Sequence, residues 1–389
     1  MEKLVTSNLK LGIIAGGQLG KMLIQEASKW DIITYVLDKD ENCPASCIAS
    51  HYVKGSNLDF ESVYQFGKLS DVLTFEIENV NIEALKKLKS EGHRIVPDPE
   101  ILELIQDKGL QKEFYKKNGI PISSFKIYES GTAILNGIEK GEIKFPFVQK
   151  LRKGGYDGRG VAVINDKNDF TKILPGASVI EEKIEIVKEI AVIVARNRKG
   201  EIKCFPVVEM LFDPQANLVD KLICPSSITI EQSEKAVTLA NEIIELLNME
   251  GLLAVEFFID TKGEVIVNEI APRPHNSGHH TIESIITSQF EQHLRAILNL
   301  PLGSTKLKLP SVMINILGAE GHEGPVIYEG LTESMAIDGV KIHLYGKKIT
   351  KPYRKMGHVT ILSSSLECAL KKAEKVKQFI KVKSWKENQ

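Results

Sequence analysis

The residues from Asn268 to His280 are the part of the chain best suited to chemistry. They bring a carboxylate, an arginine, three histidines and asparagine side chains together around two prolines and a glycine. The segment directly follows the apolar run Val265–Val267, which predicts a strand. So many polar groups at the end of one strand add little stability. They are typical of a site that holds a charged ligand.

A pair of glutamates points to the nature of that ligand. The residues Thr261–Glu264 predict a four-residue hairpin loop, in which Asp260 pairs with Val265. Counting back along this register places Glu256 opposite Glu269, with β-carbons about 5 Å apart. A three-residue loop would make the two glutamates diagonal neighbours. Opposed carboxylates in apolar surroundings favour a Mg²⁺ ion shared with substrate phosphates, the alternative being that one carboxylate points to solvent.

A second candidate element is the glycine-rich loop from Lys150 to Gly160. It contains four glycines together with lysines and arginines, and it lies between two predicted strands. Backbone amides of such a loop can wrap phosphate oxygens while the cations neutralise them. An ordinary exposed hairpin loop is the alternative interpretation, but it rarely needs so many glycines and cations together.

The N-terminal turn Ala15–Gly20 imitates a dinucleotide-binding fingerprint. It joins a predicted strand to a predicted helix, and Asp38 ends the next strand. Ala15 stands where the first glycine of that fingerprint is expected. A structural turn, or a phosphate site without a dinucleotide, is therefore at least as compatible with these residues as NAD binding.

Near the C-terminus, the segment Lys347–His358 has five cations in its first nine residues. Alone, such a run is typical of a solvated loop. Together with two other phosphate-type segments, it becomes a candidate clamp for an anionic substrate.

Composition limits the class of protein. Fifty basic and 51 acidic residues in 389 leave a net charge of −1, which argues against an obligate nucleic-acid binder. No apolar run approaches the roughly 18 residues of a membrane span, and the start of the chain lacks a secretory core. Five scattered cysteines without a Cys-x-x-Cys pair predict reduced thiols. These features predict a cytoplasmic protein without nucleic-acid or membrane partners.

The elements that position these residues change along the chain. Over the first hundred residues short β-rich runs alternate with helical patterns, which predicts a parallel sheet. Pro97–Pro99 marks a boundary, and Pro301–Ser304 has the composition of a linker into a smaller β-rich part. The chain ends with a helix whose apolar residues between Leu366 and Ile380 form one stripe.

Four segments occur together in one order: Gly16–Met22, Thr74–Val80, Gly154–Gly160 and Asn268–His279. Over nearly the whole chain they resemble the ATP-grasp family of 5-(carboxyamino)imidazole ribonucleotide synthetases of purine biosynthesis. The resemblance implies a ligase that consumes ATP, bicarbonate and 5-aminoimidazole ribonucleotide (AIR). Its products would be the N-carboxylated nucleotide, ADP and phosphate, formed through carboxyphosphate. The glycine loop would close over that intermediate.

The fold implied is α/β and α+β. A Rossmann-like parallel-sheet domain is expected at residues 1–99, and an ATP-grasp domain at 100–300. The ATP-grasp domain would have two lobes that meet near residue 185, with ATP between them. A small β-rich domain with a terminal helix is expected at 301–389. A homodimer and two Mg²⁺ ions are also implied.

The resemblance assigns roles to individual residues. The ATP-binding set is Lys108, Lys150, Gly155, Tyr156, Asp157, Gly158, Arg159, Gly160, Glu181, Glu182, Lys183, Ile184, Glu189, Asn268 and Glu269. Within this set, the resemblance places Glu181, Glu182 and Ile184 on the strand that meets adenine, and Glu189 at the ribose of ATP. The Mg²⁺ ligands are Glu256 and Glu269. The AIR-binding set is Gln18, Glu76, Tyr156, Asp157, Arg273, His275, Lys347 and Arg354. The catalytic set is Asp157, Arg273, His275 and Asn276, with the proton acceptor left open between Asp157 and His275.

Two departures from the family pattern concern ATP. Met210 and Phe212 stand where members often carry Asn-x-His, which puts an adenine-side hydrogen bond in question. Lys108 stands where arginine also occurs, and it keeps the charge without the bidentate fork. Three alternatives stay open: a formate-using glycinamide ribonucleotide transformylase, a nicotinamide-dependent oxidoreductase and a non-catalytic nucleotide-binding module.

Overall fold

The N-terminal part of the protein is a parallel sheet with helices around it. The structure, a computed structural model, describes residues 6–155, 160–213 and 218–385. The strands of this sheet are β1 (Lys10–Ile14), β2 (Ile33–Asp38), β3 (His51–Lys54), β4 (Val72–Phe75) and β5 (Arg94–Ile95). They pair in the order β3-β2-β1-β4-β5, all parallel. The helices are α1 (Gln18–Ala27), α2 (Phe60–Gly67) and α3 (Ile82–Ser90). The predicted parallel sheet is confirmed.

A second, smaller sheet forms one lobe of the central region. Helices α4 (Pro99–Gln106) and α5 (Lys108–Lys117) lead into it. The lobe contains strands β6 (Phe125–Tyr128), β7 (Phe147–Leu151), β8 (Val161–Ile164) and β9 (Ser178–Glu182), with helix α6 (Gly131–Glu139). These strands are antiparallel in the order β6-β9-β7-β8. The glycine loop leaves the end of β7 and returns at β8.

The other lobe is built on the largest sheet. Its first strands are β10 (Ile186–Arg196), β11 (Ile202–Cys204), β12 (Val208–Asp213), β13 (Leu218–Cys224), β14 (Gly251–Asp260) and β15 (Val265–Ala271). Its helices are α7 (Ile230–Leu246), α8 (Thr281–Ser284) and α9 (Gln289–Ile297). Helix α7 begins with a capping box between Thr229 and Gln232, and it buries Ala236, Leu239, Ala240, Ile243 and Ile244. These side chains pack against β10 and β14 in the largest hydrophobic core.

The C-terminal part continues the same sheet. It contains β16 (Ser311–Leu317), β17 (Gly324–Glu329), α10 (Leu331–Met335), β18 (Val340–Leu344), β19 (Ile349–Thr350), β20 (Lys355–Leu362), α11 (Leu366–Phe379) and β21 (Lys381–Ser384). The main path of the large sheet runs β15-β14-β10-β12-β13-β16-β20-β18, because β16 pairs with β13. Strands β19, β17 and β21 form a separate small sheet. The stripe of α11 buries Ala369, Ala373 and Val376, whereas Phe379 at its end is exposed.

Two of the predicted domain boundaries fall between regular elements, and the one after residue 99 falls inside the first turn of α4. Residue 99 begins α4, residue 185 lies between β9 and β10, and residue 300 lies between α9 and β16. The boundaries themselves stay predictions. All five cysteines lie within the described residues, and none forms a disulfide. Among the described helices, none is long and apolar enough to cross a membrane.

Candidate active site

The hairpin of β14 and β15 carries the two glutamates, and its register differs from the predicted one. Ile259, not Asp260, pairs with Val265, so the predicted Asp260–Val265 pair is wrong. The loop is one residue longer at its start because the Asp260 carboxylate accepts hydrogen bonds from the N–H groups of Lys262 and Glu264. In an undistorted ladder Glu256 would therefore face Asn268.

A β-bulge restores the predicted pair. The register shifts between Glu256 and Phe257, and Asn268 is the extra residue on β15. Beyond the bulge Glu256 pairs with Glu269, so their predicted juxtaposition is confirmed. At the bulge, the neighbouring residues Asn268 and Glu269 both contact lysines of the site, Lys150 and Lys108 respectively.

The two carboxylates have different electrostatic environments. Lys108 Nζ lies 2.5 Å from Glu269 Oε2, and this lysine holds the pKa of Glu269 far below its ordinary value against the opposing effect of burial. Burial raises the pKa of Glu256 well above its ordinary value, and the charges of Glu269 and Glu189 raise it further. Lys108 and Lys355 offset this only in part. Glu269 therefore has a lysine as its counter-charge, whereas the charge of Glu256 would be neutralised only in part.

A buried ion network holds Lys150 beside the pair. Lys150 Nζ donates to Asn268 Oδ1 at 2.9 Å and lies 3.1 Å from Glu181 Oε1. The other oxygen of Glu181 accepts from Ser123 Oγ at 2.7 Å and from Lys112 Nζ at 3.2 Å. Against its burial, the two lysines lower the pKa of Glu181 to about 2. Burial lowers the pKa of Lys112 to about 8.

Lys112 was missed by the sequence analysis. It lies one helical turn after Lys108 in α5, and that i, i+4 spacing was the only available signal. The Glu181 carboxylate is occupied by Lys112, Lys150 and Ser123.

The predicted adenine and ribose residues lie where the two lobes join. Glu182 ends β9, Ile184 lies in the connection to β10, and the ammonium of Lys183 donates to Asn165 Oδ1. Burial raises the pKa of Glu189 to about 7, although Lys150 opposes this shift. Met210 pairs with Glu189 and is buried. The first departure from the family pattern therefore lies beside the predicted ribose carboxylate, as part of a packed sheet.

Only the ends of the glycine loop are described. Gly155 follows β7, and Gly160 has a φ of 77°, which favours glycine. The Gly160 carbonyl accepts a hydrogen bond from the Leu151 N–H at 2.8 Å. The predicted site residues Tyr156, Asp157, Gly158 and Arg159 lie outside the described residues.

The segment after β15 brings Arg273 and His275 to the site. Arg273 Nη2 lies 2.6 Å from Glu78 Oε1, a partner that the sequence analysis missed. His275 Nε2 lies 3.6 Å from Glu256 Oε1, and Nδ1 lies 2.9 Å from Ser277 Oγ. Arg273 Nε and Asn276 Nδ2 are buried, without acceptors among the described residues. Buried donors of this kind are uncommon and suit the oxygens of an anionic ligand.

The N-terminal turn has already satisfied its own donors. The Gly16 N–H donates to Asp38 Oδ2 at 2.8 Å. Those of Gly17 and Gly20 donate to the two oxygens of Glu76 at 2.6 and 2.7 Å. Glu76 thus occupies the N-terminus of α1, whose first residue is the predicted AIR contact Gln18. Burial raises the pKa of Glu76, and Arg273 is one of the groups that oppose this.

The basic C-terminal segment is partly ordered by its own backbone. Lys347 Nζ donates to the Lys355 carbonyl at 2.7 Å and lies over the Tyr345 ring. Arg354 Nη1 donates to the Ile349 carbonyl at 2.6 Å. The positive charge of Lys355 lowers the pKa of Glu256, so this lysine faces the same region as the glutamate pair. In the sequence Lys355 lies within the basic run, without a predicted role.

Comparison with known proteins accounts for almost the whole chain. Residues 9–106 match the ribonucleotide synthetase preATP-grasp domain, and residues 113–290 match the ATP-grasp domain. Residues 311–372 match the phosphoribosylaminoimidazole carboxylase C-terminal domain. The N5-carboxyaminoimidazole ribonucleotide synthase of Bacillus subtilis is 34% identical, over 93% of both chains. The chain belongs to the family of N5-carboxyaminoimidazole ribonucleotide synthases.

The family has larger and structurally known members. The chloroplastic phosphoribosylaminoimidazole carboxylase of Vigna aconitifolia is 39% identical over 92% of this chain, which spans 64% of the length of that protein. The Thermotoga maritima synthetase structure is 47% identical, with a TM-score of 0.89 over 97% of this chain and all of that one. The Aspergillus clavatus synthase, in complex with ADP and 5-aminoimidazole ribonucleotide, is 32% identical. Its TM-score is 0.86, over 96% of this chain and 98% of that one.

These matches confirm the predicted family, the ATP-grasp fold class and the assignment to ATP-grasp ligases. AIR carboxylation in purine biosynthesis, the function predicted from the sequence, is confirmed at the level of the family.

Proposed function

We propose that this chain carboxylates AIR with bicarbonate at the expense of ATP. The observation that carries the proposal is the pairing of Glu256 with Glu269 beside Lys108 and Lys150, in a chain of this family. This arrangement combines carboxylates for a hard cation with cations for phosphate oxygens. His275 lies within reach of the same pair.

The donor set fits Mg²⁺. Glu256 and Glu269 are opposed carboxylates, and the first lacks a full counter-charge. No group of three or more potential protein ligands occurs among the described residues. A Mg²⁺ ion at this pair would therefore take other oxygens from ATP phosphates and water, and a second ion would share the same carboxylates. The metal neutralises charge on the phosphates when bound.

The first chemical step transfers the γ-phosphoryl group. A bicarbonate oxygen attacks the γ-phosphorus as the bond to the ADP oxygen breaks, which gives carboxyphosphate and ADP. Lys108 and Lys150 stabilise the negative charge on the transferring group. Asn268 holds the Lys150 ammonium at the site.

The second step forms the carbon–nitrogen bond. The AIR amine attacks the carbonyl carbon of carboxyphosphate, the carbon–oxygen bond to phosphate breaks, and phosphate leaves. Arg273 holds the anionic oxygens of the intermediate, and the buried amide nitrogen of Asn276 is a further donor. The amine proton passes to His275 or to Asp157.

The AIR site is proposed to extend toward the C-terminal segment. Lys347 and Arg354 supply positive charge for the nucleotide phosphate. Gln18, the first residue of α1, and Glu76, which follows β4, would line the pocket from the N-terminal part. The oxygens of Glu76 already accept backbone hydrogen bonds, so it acts through the turn that it holds.

The decisive experiment measures ADP release by the purified chain with each substrate omitted in turn. Release should require Mg²⁺, and it should be fast only with bicarbonate and AIR together. Turnover that needs formate and glycinamide ribonucleotide would instead assign the transformylase reaction. No ADP release with all substrates present would favour a non-catalytic nucleotide-binding module.

A homodimer and a cytoplasmic location complete the proposal. Light scattering of the purified chain should give twice the chain mass of 43.3 kDa. Cell fractionation should recover the chain with the cytoplasmic enzymes. A monomer, or recovery in another compartment, would correct these two points without affecting the proposed reaction.

A further inference from the structure

Gln289, the first residue of α9, bonds both backbone polar groups of His275. Its Oε1 accepts from the His275 N–H at 2.9 Å, and its Nε2 donates to the His275 carbonyl at 2.8 Å. The side chain is completely buried. The side-chain amide of Gln289 therefore bonds the N–H and the carbonyl of His275, as a residue of a neighbouring β-strand would.

The backbone of His275 fixes which way this amide faces, because its N–H can donate only to Oε1 and its carbonyl can accept only from Nε2. Gln289 Nε2 also lies 3.2 Å from His279 Nδ1, where its second proton can be donated when Nδ1 carries none. His279 is buried, and its pKa is well below the ordinary value, mainly because of burial.

The surroundings leave the amide no room to shift. A β-carbon added to Gly278 would lie 2.3 Å from Gln289 Oε1 and 2.3 Å from Ile193 Cδ1. The Gln289 N–H donates to Thr281 Oγ1 at 2.8 Å, and that hydroxyl donates to the Gly278 carbonyl at 2.6 Å. The amide is therefore enclosed by the turn that it supports.

We propose that Gln289 is a positioning residue for the carboxylation step. By fixing the backbone of His275, it fixes where the imidazole stands relative to Glu256, 3.6 Å away. Gln289 belongs to α9, which packs against β10 and β14, and β14 is the strand that carries Glu256. This inference rests on the proposed function of His275.

The same helix provides a matched control. Gln292, three residues later, is also completely buried, and it makes the same pair of bonds with Gly303. Gly303 N–H donates to Gln292 Oε1 at 2.8 Å, and Nε2 donates to the Gly303 carbonyl at 3.0 Å. Gly303 belongs to the connection toward β16 and is no part of the proposed site. Replacing either glutamine removes a similar buried contact, but only Gln289 holds His275.

The test compares Gln289→Leu with Gln292→Leu in thermal unfolding and steady-state kinetics. We expect similar losses of stability but a fall in kcat of about 10- to 100-fold only for Gln289→Leu, because small displacements of a reacting group have effects of this size. The KM for ATP should change less than about twofold, since Lys108 and Lys150 are held by other residues. Equal losses of kcat in the two variants would overturn the inference.

Gln289→Glu supplies a pH readout that general destabilisation would not give. Its carboxylate can accept from the His275 N–H but cannot donate to the carbonyl, whereas its protonated form can. Activity relative to the parent should therefore rise as the pH falls, and more steeply than in Gln292→Glu, in which a carboxylate at a matched buried position reports pH-dependent destabilisation alone. A ratio that does not change with pH would contradict the positioning role.

A measurement independent of turnover separates this inference from the proposed reaction. Modification of His275 by diethylpyrocarbonate, followed by peptide mass spectrometry, should be faster in Gln289→Leu than in Gln292→Leu. Equal rates would reject the positioning role even if the parent were inactive. AIR-independent ADP release by the parent would reject the proposed reaction alone.

Discussion

Two regions of this protein place a pair of carboxylates at a turn, and they use them in opposite ways. In the glycine turn at residues 15–20, Asp38 and Glu76 accept the backbone N–H groups, so the turn holds anions supplied by the protein itself. At the end of the β14–β15 hairpin, Glu256 and Glu269 face each other, and within the described part of the chain an ion pair with lysine is formed by Glu269 and not by Glu256. The first pair completes the fold, and the second is the one that we propose to hold a ligand.

The difference shows why the glycine turn was ambiguous in the sequence. The N–H groups that would receive a pyrophosphate in a dinucleotide-binding turn are occupied by the two side chains. The nicotinamide-dependent alternative therefore loses the feature that suggested it. A glycine turn can bind an anionic ligand only when its N–H groups are not already bonded to side chains of the protein.

Glu269→Gln should have the largest effect. It removes a proposed Mg²⁺ ligand and the partner of the Lys108 ammonium, so AIR-dependent ADP release should fall by about 100-fold or more. Glu264→Gln, an exposed change on the same hairpin, is the control and should retain activity. Near-normal turnover of Glu269→Gln over a Mg²⁺ titration would remove the distinction between the two carboxylate pairs.

The pH dependence of Mg-ATP binding is the next test. The pKa of Glu256 is raised, so in the ligand-free protein this group binds a proton that metal binding must release. Apparent affinity should rise with pH through the neutral range, by about tenfold per pH unit below that pKa. Glu256→Gln should bind weakly and lose this slope in isothermal titration calorimetry. A flat profile for the parent would show that Glu256 is already ionised.

The same shift has a consequence for stability. Because the folded-state pKa lies above the unfolded value, the contribution of Glu256 to stability is full in acid and is lost as the pH rises toward the raised pKa. The free energy of unfolding of Glu256→Gln should therefore fall less than that of the parent as the pH is raised, in the absence of Mg²⁺ and nucleotide.

Glu76→Gln should act mainly on folding. The new amide group faces an N–H of Gly17 or Gly20, which should destabilise the protein by about 1–3 kcal/mol in urea unfolding. Asp59→Asn at the start of α2 is the control, because asparagine caps helices as well as aspartate does. The KM for ATP should stay unchanged. A large rise in the KM for AIR would support the predicted place of Glu76 in the nucleotide pocket.

Ala15→Gly should have the smallest effect. Ala15 has a φ of 71°, where glycine fits without strain. Relief of that strain exceeds the entropic cost of glycine only slightly, so stability should rise by at most about 1 kcal/mol without a change in activity. Ala27→Gly, at a buried position at the end of α1, should instead destabilise. Loss of ATP turnover in Ala15→Gly would show that the turn takes part in catalysis.

Much of the fold was predictable because local patterns carry it. Alternating strands and helices predicted the N-terminal parallel sheet, and the stripe of α11 predicted the burial of Ala369, Ala373 and Val376 but not the exposure of Phe379. The continuity of the large sheet was not predictable. The pairing of β13 with β16 joins residues about ninety positions apart, and no local pattern encodes such a partner.

The site shows a similar division. The Glu256–Glu269 pair was predicted correctly, although two errors cancelled: Asp260 lengthened the loop, and the bulge at Asn268 restored the register. A single sequence does not clearly predict that a turn aspartate will accept backbone hydrogen bonds, or that a strand will contain a bulge. Lys112 and Glu78 were missed because their partners, Glu181 and Arg273, are far away in sequence. Gln289 lies only 14 residues from His275, but the contact spans an irregular turn that no periodic pattern indicates. The ligand roles assigned to the described site residues stay proposals, and the variants above test some of them.

The pairing of β13 with β16 also limits how this protein can be divided. A fragment that ends at residue 300 would leave the backbone groups of Lys221–Cys224 without their strand partner. Open strand edges recruit other chains, so such a fragment is expected to accumulate as insoluble aggregate when it is expressed alone. Chimeras of this C-terminal part with another ATP-grasp core would need matching strand edges as well as a compatible linker.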